Sequence, residues 1–451
     1  MNFIARNAIR QGRFSEPFVP SAFSIAVLLT LATAGLALVT AGASLETVLR
    51  SWGDGFWSLL AFGMRMALVM FTGYMLAVSP LISRALERLA ALPRSPRSAV
   101  VFMALVSMGL ALLNWGLSIV GSAVMVRFLA KRKFGPSELQ ADYRLLVASA
   151  YFGLGATWHA GLSASAPLIA ATAAEPITQK FGLVTIDQTI FSVFNIALVV
   201  ATLILLGVLA WFLHPRKEET FAVDSSRVDL LKSFTPPQRP QTMTPAAWLD
   251  HTPLLNLIVG CARLLYVALR LHENGWRKID IDLVNFTFFS LAVLFHRTPA
   301  SVLAAAEEAA SVLSGIVFQF PLYAGIYGIF QGTGLTDIVG DFFVRHASAS
   351  TFPAVIYWYS GIINYFVPSG GAKWTIEAPY ILAAAKTMGV DNAKIVLAYA
   401  WGDMATDLIQ PFWALPLLAV AKLDFKDILG YLLIACAAYM VLVSAAFLIF
   451  L

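Results

Sequence analysis

The stretch SAVVFMALVSMGLALLNWGLSIVGSAVMVRFLAK, from Ser98 to Lys131, decides the fold of this chain. It is mainly apolar, it is interrupted near its centre at Asn114, and basic residues flank both of its ends. Because one bilayer crossing needs about 20 apolar residues, the stretch is too short for two crossings and a turn. Basic flanks mark the cytoplasmic ends of membrane segments. The sequence therefore predicts a re-entrant helical hairpin that enters from the cytoplasm and returns there, with its tip at Asn114–Gly121.

The composition of the whole chain indicates a membrane protein. Of its 451 residues, 59% are hydrophobic and 13% are charged, and the mean hydropathy is +0.75. An average soluble domain is about 45–50% apolar and about 25% charged. These values predict an all-α polytopic membrane protein and exclude a soluble protein that binds nucleic acid. A disulfide scaffold is excluded as well, because Cys261 and Cys436 both lie in apolar stretches.

Apolar runs recur along the chain, and some of them are interrupted. The continuous runs are Pro20–Thr40, Phe56–Val78, Thr189–Leu213, Pro253–His272, Ile428–Leu451 and the weaker Ile281–His296. The interrupted runs are Ser98–Lys131, Tyr143–Thr172, Ala300–Phe330 (at Pro321), Thr351–Met388 and Asn392–Ala421. Non-helical backbone is tolerated at membrane depth only where it faces protein or water. The interrupted runs are therefore expected to face the protein interior.

Basic residues determine the predicted orientation. Most of the 31 lysines and arginines lie before the first run, on both sides of the first hairpin, and in the polar loop 214–252. The positive-inside rule places these segments, including the N-terminus, in the cytoplasm. The run Pro20–Thr40 lacks a convincing cleavage site and is interpreted as a retained helix.

Two parts of the sequence resemble each other. Ala111–Trp115 is similar to Gly361–Tyr365, and Ala150–Tyr151 recurs as Ala398–Tyr399. Such matches in order favour a shared two-half origin, and the alternative is compositional coincidence.

An extra crossing between the halves inverts the second one. The predicted organisation is an N-terminal repeat 1–213 (hairpin 98–131, broken helix 143–172), a cytoplasmic loop 214–252, a connecting transmembrane helix and outer loop 253–283, and a C-terminal inverted repeat 284–451 (hairpin 351–388, broken helix 392–421). Two inverted-topology repeats with opposed re-entrant hairpins are typical of secondary transporters, which hold the substrate near the bilayer midplane.

Several phrases of the sequence are similar to those of one family. They are Trp52–Trp57, Asn114–Gly116, Phe318–Gly325, Val367–Gly371 and Gln410–Pro416. In this order they resemble the bacterial short-chain fatty acid transporter family of the ion-transporter superfamily. The resemblance implies a protein of the bacterial cytoplasmic (inner) membrane that takes up small carboxylates such as acetoacetate or butyrate by symport. It also implies a hairpin-bearing domain that moves against a scaffold, and a homodimer is a candidate assembly.

The hairpin tips are the predicted substrate site. A small carboxylate needs hydrogen-bond donors shielded from water, and backbone N–H groups at helix N-termini supply them. Such donors are expected at Asn114, Ser118 and Gly121 of the first tip, at the aligned Asn364 with Ser369, Gly370 and Gly371 of the second, and at Gln410 in the last interrupted run. The alternative interpretation is close helix packing.

Two carboxylates, Asp403 and Asp407, lie one turn apart on a predicted helix. Ionisable groups at membrane depth usually mark ion pathways, so both are candidates for binding a coupling cation, Na⁺ or H⁺. Thr157 could add a hydroxyl oxygen to a cation site. The alternatives are an interior ion pair with Lys373 for the carboxylates and a packing role for the threonine. His159 is either proton-linked or a hydrogen-bonded interior histidine.

Sequence signatures of catalysis are absent. The sequence contains no His-Glu-x-x-His motif, no Gly-x-Ser-x-Gly motif and no Gly-rich phosphate loop. We therefore expect no enzyme activity, cofactor or metal centre, and a small carboxylate and the lipid bilayer as partners. A passive anion channel or an intramembrane enzyme is the alternative.

Arg65 is interpreted either as a charge that balances the substrate or as the partner of a carboxylate.

Overall fold

The computed structural model describes residues 22–136, 138–223, 234–366 and 369–450. Within these ranges the chain forms helices and no strand. The helices are α1 (Ala22–Thr40), α2 (Leu45–Gly55), α3 (Leu60–Val78), α4 (Pro80–Ala90), α5 (Pro96–Leu113), α6 (Trp115–Ala130), α7 (Tyr143–Ala156), α8 (Ser165–Ala170), α9 (Pro176–Phe181), α10 (Val193–Leu213), α11 (Pro245–His251), α12 (Leu254–Asn274), α13 (Ile281–His296), α14 (Pro299–Ser311), α15 (Ser314–Thr333), α16 (Leu335–His346), α17 (Phe352–Phe366), α18 (Gly370–Met388), α19 (Asn392–Asp407), α20 (Leu415–Ala421) and α21 (Phe425–Phe450). The predicted all-α class is confirmed.

Length and hydropathy identify the helices that can cross a membrane. Within the described ranges, α5, α10, α12 and α21 are long and apolar enough, and α3 with α4 forms an apolar pair bent by 67°. Pro80 begins α4 and cannot continue the hydrogen bonding of α3. These helices support a multi-pass membrane protein. The predicted run Pro20–Thr40 corresponds to α1, and residues 1–21 lie outside the described ranges.

The stretch Ser98–Lys131 forms two helices that meet at Asn114. A capping box of Ser95 and Ser98 begins α5, and α5 ends where Asn114 adopts an extended backbone. The Asn114 side chain then caps α6 by accepting a hydrogen bond from the Leu117 amide. One residue therefore ends the first helix and begins the second. The re-entry of this helix pair into the bilayer remains a prediction.

The other interrupted runs also form helices with breaks, with one difference in position. The run 143–172 forms α7, a 3₁₀ turn at Trp158–Ala160 and α8, and the run 392–421 forms α19, a turn at Phe412–Ala414 and α20. The break expected at Pro321 lies elsewhere, because α14 ends at Ser311 and α15 begins at Ser314 with Pro321 inside it. A proline within a buried helix is tolerated where neighbouring groups satisfy the freed carbonyl.

Similar contacts occur in the two halves. The Ser107 hydroxyl in α5 donates to the Ala150 carbonyl in α7 at 2.6 Å, and the Ser360 hydroxyl in α17 donates to the Tyr399 carbonyl in α19 at 2.8 Å. In each half the first arm of a helix pair thus bonds to the helix that follows the pair. The two carbonyls are not equivalent in the proposed alignment, because Tyr399 aligns with Tyr151 and not with Ala150. The repeat and the inverted relation between the halves remain predictions.

The breaks after α7 and α19 lie against each other. The Tyr151 hydroxyl donates to the backbone carbonyls of Asp407 at 3.0 Å and Gln410 at 3.3 Å. The Trp158 indole N–H donates to Asp407 Oδ2 at 2.9 Å. All four residues are buried. Because buried backbone must find hydrogen-bond partners within the protein, the first half satisfies part of the break in the second half.

Candidate functional site

A cavity of about 30 Å³ lies between the ends of both helix pairs and the two breaks. It is lined by Met66, Trp115, Leu154, Trp158, Ser165, Phe320, Ser369, Gly370, Gly371 and Trp413. A single water needs about 10–15 Å³ of such space, so the cavity can accommodate roughly two. Binding of a larger ligand therefore requires the walls to move.

Two polar atoms of the cavity residues have no hydrogen-bond partner within the described part of the chain. They are Ser165 Oγ and Trp115 Nε1, and both are buried. Next to them, Ser369 precedes α18, and Gly370 and Gly371 form its first turn, where backbone N–H groups lack intrahelical acceptors. Since buried polar groups are normally hydrogen-bonded, this wall offers a hydroxyl, an indole N–H and a helix N-terminus to a ligand.

A buried ion pair lies behind the start of α18. The Nζ atom of Lys373 is 2.8 Å from Oδ1 of Asp403 and donates to the carbonyl (2.8 Å) and hydroxyl (3.1 Å) oxygens of Ser360. The two contacts to Ser360 are hydrogen bonds, and the contact to Asp403 Oδ1 is an ion pair. Both charged side chains are 1% exposed. The structure thus contains the interior ion pair that the sequence offered as an alternative role for Asp403.

His159 bonds to the second oxygen of Asp403. Its Nδ1 atom lies 3.1 Å from Asp403 Oδ2, and its Nε2 atom accepts a hydrogen bond from the Ala166 backbone N–H at 2.9 Å. Because Nε2 must present a lone pair to this donor, we assign a neutral ring with its proton on Nδ1. The ring also stacks on Trp158, with 4.3 Å between centroids. In this conformation His159 is a hydrogen-bonded interior histidine that orients Asp403.

Gly370 brings the beginning of α18 against these two side chains. A Cβ atom at this position would lie 2.6 Å from Asp403 Oδ2 and 2.7 Å from His159 Cε1, closer than real Cβ atoms approach. Since Gly370 also lines the cavity, a ligand there lies beside Asp403. The charge of Lys373 reduces the repulsion between that carboxylate and an anionic ligand.

Asp407 is a buried carboxylate whose two side-chain oxygens accept hydrogen bonds from neutral groups. Its Oδ1 atom accepts a hydrogen bond from Asn364 Nδ2 at 2.8 Å, and its Oδ2 atom accepts one from Trp158 Nε1 at 2.9 Å. No basic side chain in the described ranges forms an ion pair with it. A buried carboxylate with only neutral donors is costly to keep charged. The environment of Asp407 therefore suits the uptake of a proton or a monovalent cation better than that of Asp403.

A third buried carboxylate, Glu377, lies one turn beyond Lys373 on α18. The hydroxyls of Tyr359 and Tyr399 donate to its two oxygens at 3.0 and 2.5 Å, and the Tyr380 hydroxyl lies 2.7 Å from that of Tyr359. The Lys373 Nζ atom lies 4.8 Å from the centre of the Tyr399 ring. A group of phenols thus connects Glu377 to the neighbouring ion pair.

Comparison with known proteins assigns this architecture to a family. The sequence profile described as "Short chain fatty acid transporter" matches residues 3–451. The chain belongs to the short-chain fatty acid transporter family. A protein of Escherichia coli (strain K12), provisionally named a short-chain fatty acid transporter, is 36% identical over 423 residues, which is 94% of each chain. A protein of Haemophilus influenzae with the same provisional name is 32% identical over 429 residues, again 94% of each chain.

These findings confirm the family that the motifs predicted, and the transporter names of the relatives agree with a protein that is not an enzyme. Two solved structures share the fold. The YdaH transporter of Alcanivorax borkumensis matches with a TM-score of 0.60 and 16% identity, over 95% of this chain and 98% of that one. MtrF of Neisseria gonorrhoeae, described with a class of antimetabolite efflux pumps, matches with a TM-score of 0.59 and 17% identity, over 98% and 97%.

The second predicted tip of this family member divides into two groups. Ser369, Gly370 and Gly371 line the cavity. Asn364 instead bonds to α19, where its Nδ2 atom donates to the Asp403 carbonyl at 2.8 Å as well as to the carboxylate of Asp407. The predicted tip residues and both predicted carboxylates are thus neighbours, although the sequence did not specify their contacts.

Asn114, in the first predicted tip, makes hydrogen bonds that hold helices together. Its Oδ1 atom caps α6, and its Nδ2 atom donates to the Val69 carbonyl in α3 at 3.2 Å. The residue that reaches the cavity is its neighbour, Trp115. A direct contact between Asn114 and the substrate stays a prediction.

Three other residues of the predicted sites, Ser118, Gly121 and Thr157, contact α5. The Ser118 hydroxyl donates to the Ser107 carbonyl at 2.8 Å, and the Thr157 hydroxyl donates to the Met108 carbonyl at 3.1 Å. A Cβ atom at Gly121 would lie in contact with α5. These contacts correspond to the packing alternative, and roles in substrate or cation binding remain predictions for all three.

The sequence interpretation missed the aromatic walls of the cavity. Trp115, Trp158 and Trp413 each adjoin a helix break, and a tryptophan next to a predicted break was the signal that could have identified them.

Arg65 is the partner of carboxylates, which was the second of its two predicted roles. It forms ion pairs with Glu175 and, at 2.8 Å, with Asp282.

Proposed function

We propose that this protein is a secondary active transporter of short-chain fatty acids or related small monocarboxylates, coupled to H⁺ or Na⁺. The observation that carries the proposal is the cavity between both helix-pair ends and both breaks. Secondary transporters bind their substrates where broken helices meet near the bilayer midplane. The names of the two relatives support the same substrate class.

The carboxylate of the substrate is proposed to bind at the start of α18. The backbone N–H groups at Gly370 and Gly371 would donate to it, as would the indole N–H of Trp115 and the hydroxyl of Ser165. The alkyl chain would then contact the apolar walls, which include Trp413. The small cavity favours a short chain.

Asp407 is the proposed coupling residue, with Asp403 beside it. Asp407 Oδ1, the Asp403 carbonyl and Thr406 Oγ1 all lie 2.8–3.2 Å from Nδ2 of Asn364. An amide group has two hydrogens, so it cannot donate fully to three acceptors. If the amide turns away, these oxygens could hold Na⁺, and a proton on Asp407 would be the alternative.

Alternating access is proposed to move the helix pairs against the remaining helices. The moving part would contain α5–α8 and α17–α20, as two inverted repeats with re-entrant hairpins. The match of Ala111–Trp115 with Gly361–Tyr365 supports the repeat, as does the presence in each half of a serine bond from the first arm of the pair to the helix after it. The tight cavity supports a conformation in which both gates are closed.

The proposed setting is the bacterial inner membrane, with the N-terminus and the loop 214–252 in the cytoplasm. A cysteine introduced at Gln238 should react with impermeant reagents only from the cytoplasmic side, and one at Ser348 only from outside. Reaction of Gln238→Cys from outside would contradict the orientation.

A homodimer is also proposed, by analogy with other hairpin carriers, and the mass of the detergent-purified protein tests it.

Uptake into proteoliposomes tests the proposed function. Labelled carboxylates with two to six carbons would be offered under separately imposed Na⁺ and H⁺ gradients. Accumulation above the external concentration that depends on one gradient is the expected result. Equilibration without accumulation would indicate a channel, and chemical change of the label would indicate an enzyme.

A further inference from the structure

A polar cavity of about 420 Å³ lies where the first arm of the first helix pair, α5, begins and α10 ends. Three of its lining residues, Arg97, Arg216 and Lys217, are basic and exposed. None of the three forms an ion pair with a described residue. The acidic residue in the wall, Glu138, is paired with Lys133 at 2.6 Å. The residues that line the cavity therefore carry a net positive charge.

An apolar groove of about 430 Å³ continues along the same two helices. Its walls include Val101 and Leu105 of α5 and Ile204, Val208 and Trp211 of α10. Its outer rim is open, since Ile204, Val208 and Trp211 are 61%, 50% and 41% exposed. In a membrane this groove faces the acyl chains of the bilayer.

The polar cavity and the apolar groove join at one contact. The guanidinium of Arg97 lies 5.9 Å from the centre of the Trp211 ring, within the range of a cation–π interaction. Val101 and Leu105 follow Arg97 by one and two helical turns on the same face of α5. A molecule with an anionic head and an apolar chain can therefore occupy both.

We infer that this cleft binds an anionic phospholipid. Its phosphate lies among Arg97, Arg216 and Lys217, and one acyl chain lies in the groove between α5 and α10. A peptide or a free anion would use only one of the two parts, whereas a phospholipid uses both. Basic pockets at the ends of membrane helices bind anionic head groups by the same electrostatic attraction.

The contact has a structural consequence for the transporter. α10 is outside the two helix pairs, and α5 is the first arm of one of them. A lipid bound across both helices would link α5 to α10 and stabilise the packing of these two helices against each other.

Native mass spectrometry of the purified, full-length protein with phosphatidylglycerol tests the inference, and phosphatidylcholine is the neutral comparison. The variant Arg97→Gln/Arg216→Gln should bind phosphatidylglycerol roughly 25-fold more weakly, because each basic group near an anionic lipid contributes about a factor of five. The matched control is Arg84→Gln/Arg88→Gln, which removes two charges elsewhere, and it should bind phosphatidylglycerol normally.

A second variant tests the groove independently of charge. Ile204→Trp/Val208→Trp fills the groove at positions that already face lipid, and it should also lose bound phosphatidylglycerol. Equal losses in the control variant, unchanged binding in the groove variant, or full competition by inorganic phosphate would each overturn the inference. Stronger retention of phosphatidylcholine than of phosphatidylglycerol would overturn it as well.

Discussion

The ammonium of Lys373 and the carboxylate of Asp403 lie 2.8 Å apart, and both side chains are buried. The pair joins α18 to α19 directly behind Gly370, which lines the central cavity. A charged carboxylate at that place would repel an anionic substrate, and the lysine compensates it. The ion pair therefore makes a carboxylate-binding site next to an aspartate physically reasonable.

Loss of the lysine should destabilise the protein strongly. Lys373→Met leaves Asp403 buried and uncompensated, which is expected to lower the free energy of unfolding by about 3–5 kcal/mol. Lys373→Met/Asp403→Asn should recover most of this loss, because the buried charge is gone. Unfolding in detergent measures both, and Lys386→Met, an exposed lysine on the same helix, is the control. Equal stability of the single and double variants would contradict the interpretation.

Replacement of Asp407 should uncouple transport. Asp407→Asn keeps the size of the side chain but cannot take up a proton or supply a negative charge to a cation. We expect substrate exchange to persist and gradient-driven accumulation to disappear, as measured in proteoliposomes. Asp341→Asn, on the exposed surface of α16, should transport normally. Normal accumulation with unchanged ion dependence in Asp407→Asn would exclude it as the coupling residue.

Asn114 and Ser165 should behave in opposite ways. Asn114→Ala removes the cap of α6 and one donor to the Val69 carbonyl, at a cost of about 1–3 kcal/mol in stability. Because both ends of the amide are used in these bonds, the affinity for the carboxylate should change little; a large loss of affinity would instead support the contact with the substrate that the sequence predicts. Ser165→Ala removes an unpaired hydroxyl from the cavity wall, so affinity should fall by about 10- to 150-fold, the range for one hydrogen bond to a charged group, while the melting temperature stays normal. A loss of affinity in Asn114→Ala with normal affinity in Ser165→Ala would place the carboxylate at Asn114 and not at Ser165.

Gly370 should not tolerate a methyl group. In Gly370→Ala the new Cβ atom meets Asp403 and His159, so we expect a loss of about 1–3 kcal/mol in stability and weak transport. Gly109 in α5 has no atom within 4 Å of the corresponding position, so Gly109→Ala should be neutral or slightly stabilising. Thermal unfolding and uptake assays of the two variants compare them directly. Normal transport by Gly370→Ala would show that the start of α18 lies further from Asp403 and His159 than the structure places it.

His214, which follows α10, should make stability depend on pH. Its Nε2 atom accepts the Asp142 backbone N–H at 3.2 Å, and burial lowers the pKa of His214 below its usual 6.5, an effect that Arg97 increases and Asp142 opposes. Because the unfolded chain takes up the proton first, stability is full above about pH 6.5 and falls as the pH drops through the folded-state value. His214→Gln should remove this part of the pH dependence between about pH 8 and pH 5. If the melting temperatures of the native protein and of His214→Gln change with pH in the same way over this range, the prediction is contradicted.

The local sequence was sufficient to predict the all-helical class, the family and the breaks near Asn114 and Trp158. The cap at Asn114 and the turn at Trp158–Ala160 lie inside runs that the sequence marked as interrupted. Hydrophobic length and the residues that end helices are local properties, so they can be determined without knowledge of the neighbours. The break predicted at Pro321 was wrong, because Pro321 lies inside α15, and prolines are tolerated within membrane helices.

The identity of the partners was decided by tertiary structure alone. Trp158 bonds to Asp407 from a distant part of the chain, and periodicity cannot specify such a contact. For Lys373 the sequence offered an ion pair with either aspartate as an alternative, and the structure selects Asp403 and adds the two bonds to Ser360. The cavity likewise needs four separate breaks and tips to converge. The sequence determined which segments must be buried and broken, because that depends on local transfer free energy and backbone hydrogen bonding. Only the packed structure determined which buried charges compensate each other and which polar groups are left for a ligand, because those depend on distances between segments that are far apart in the chain.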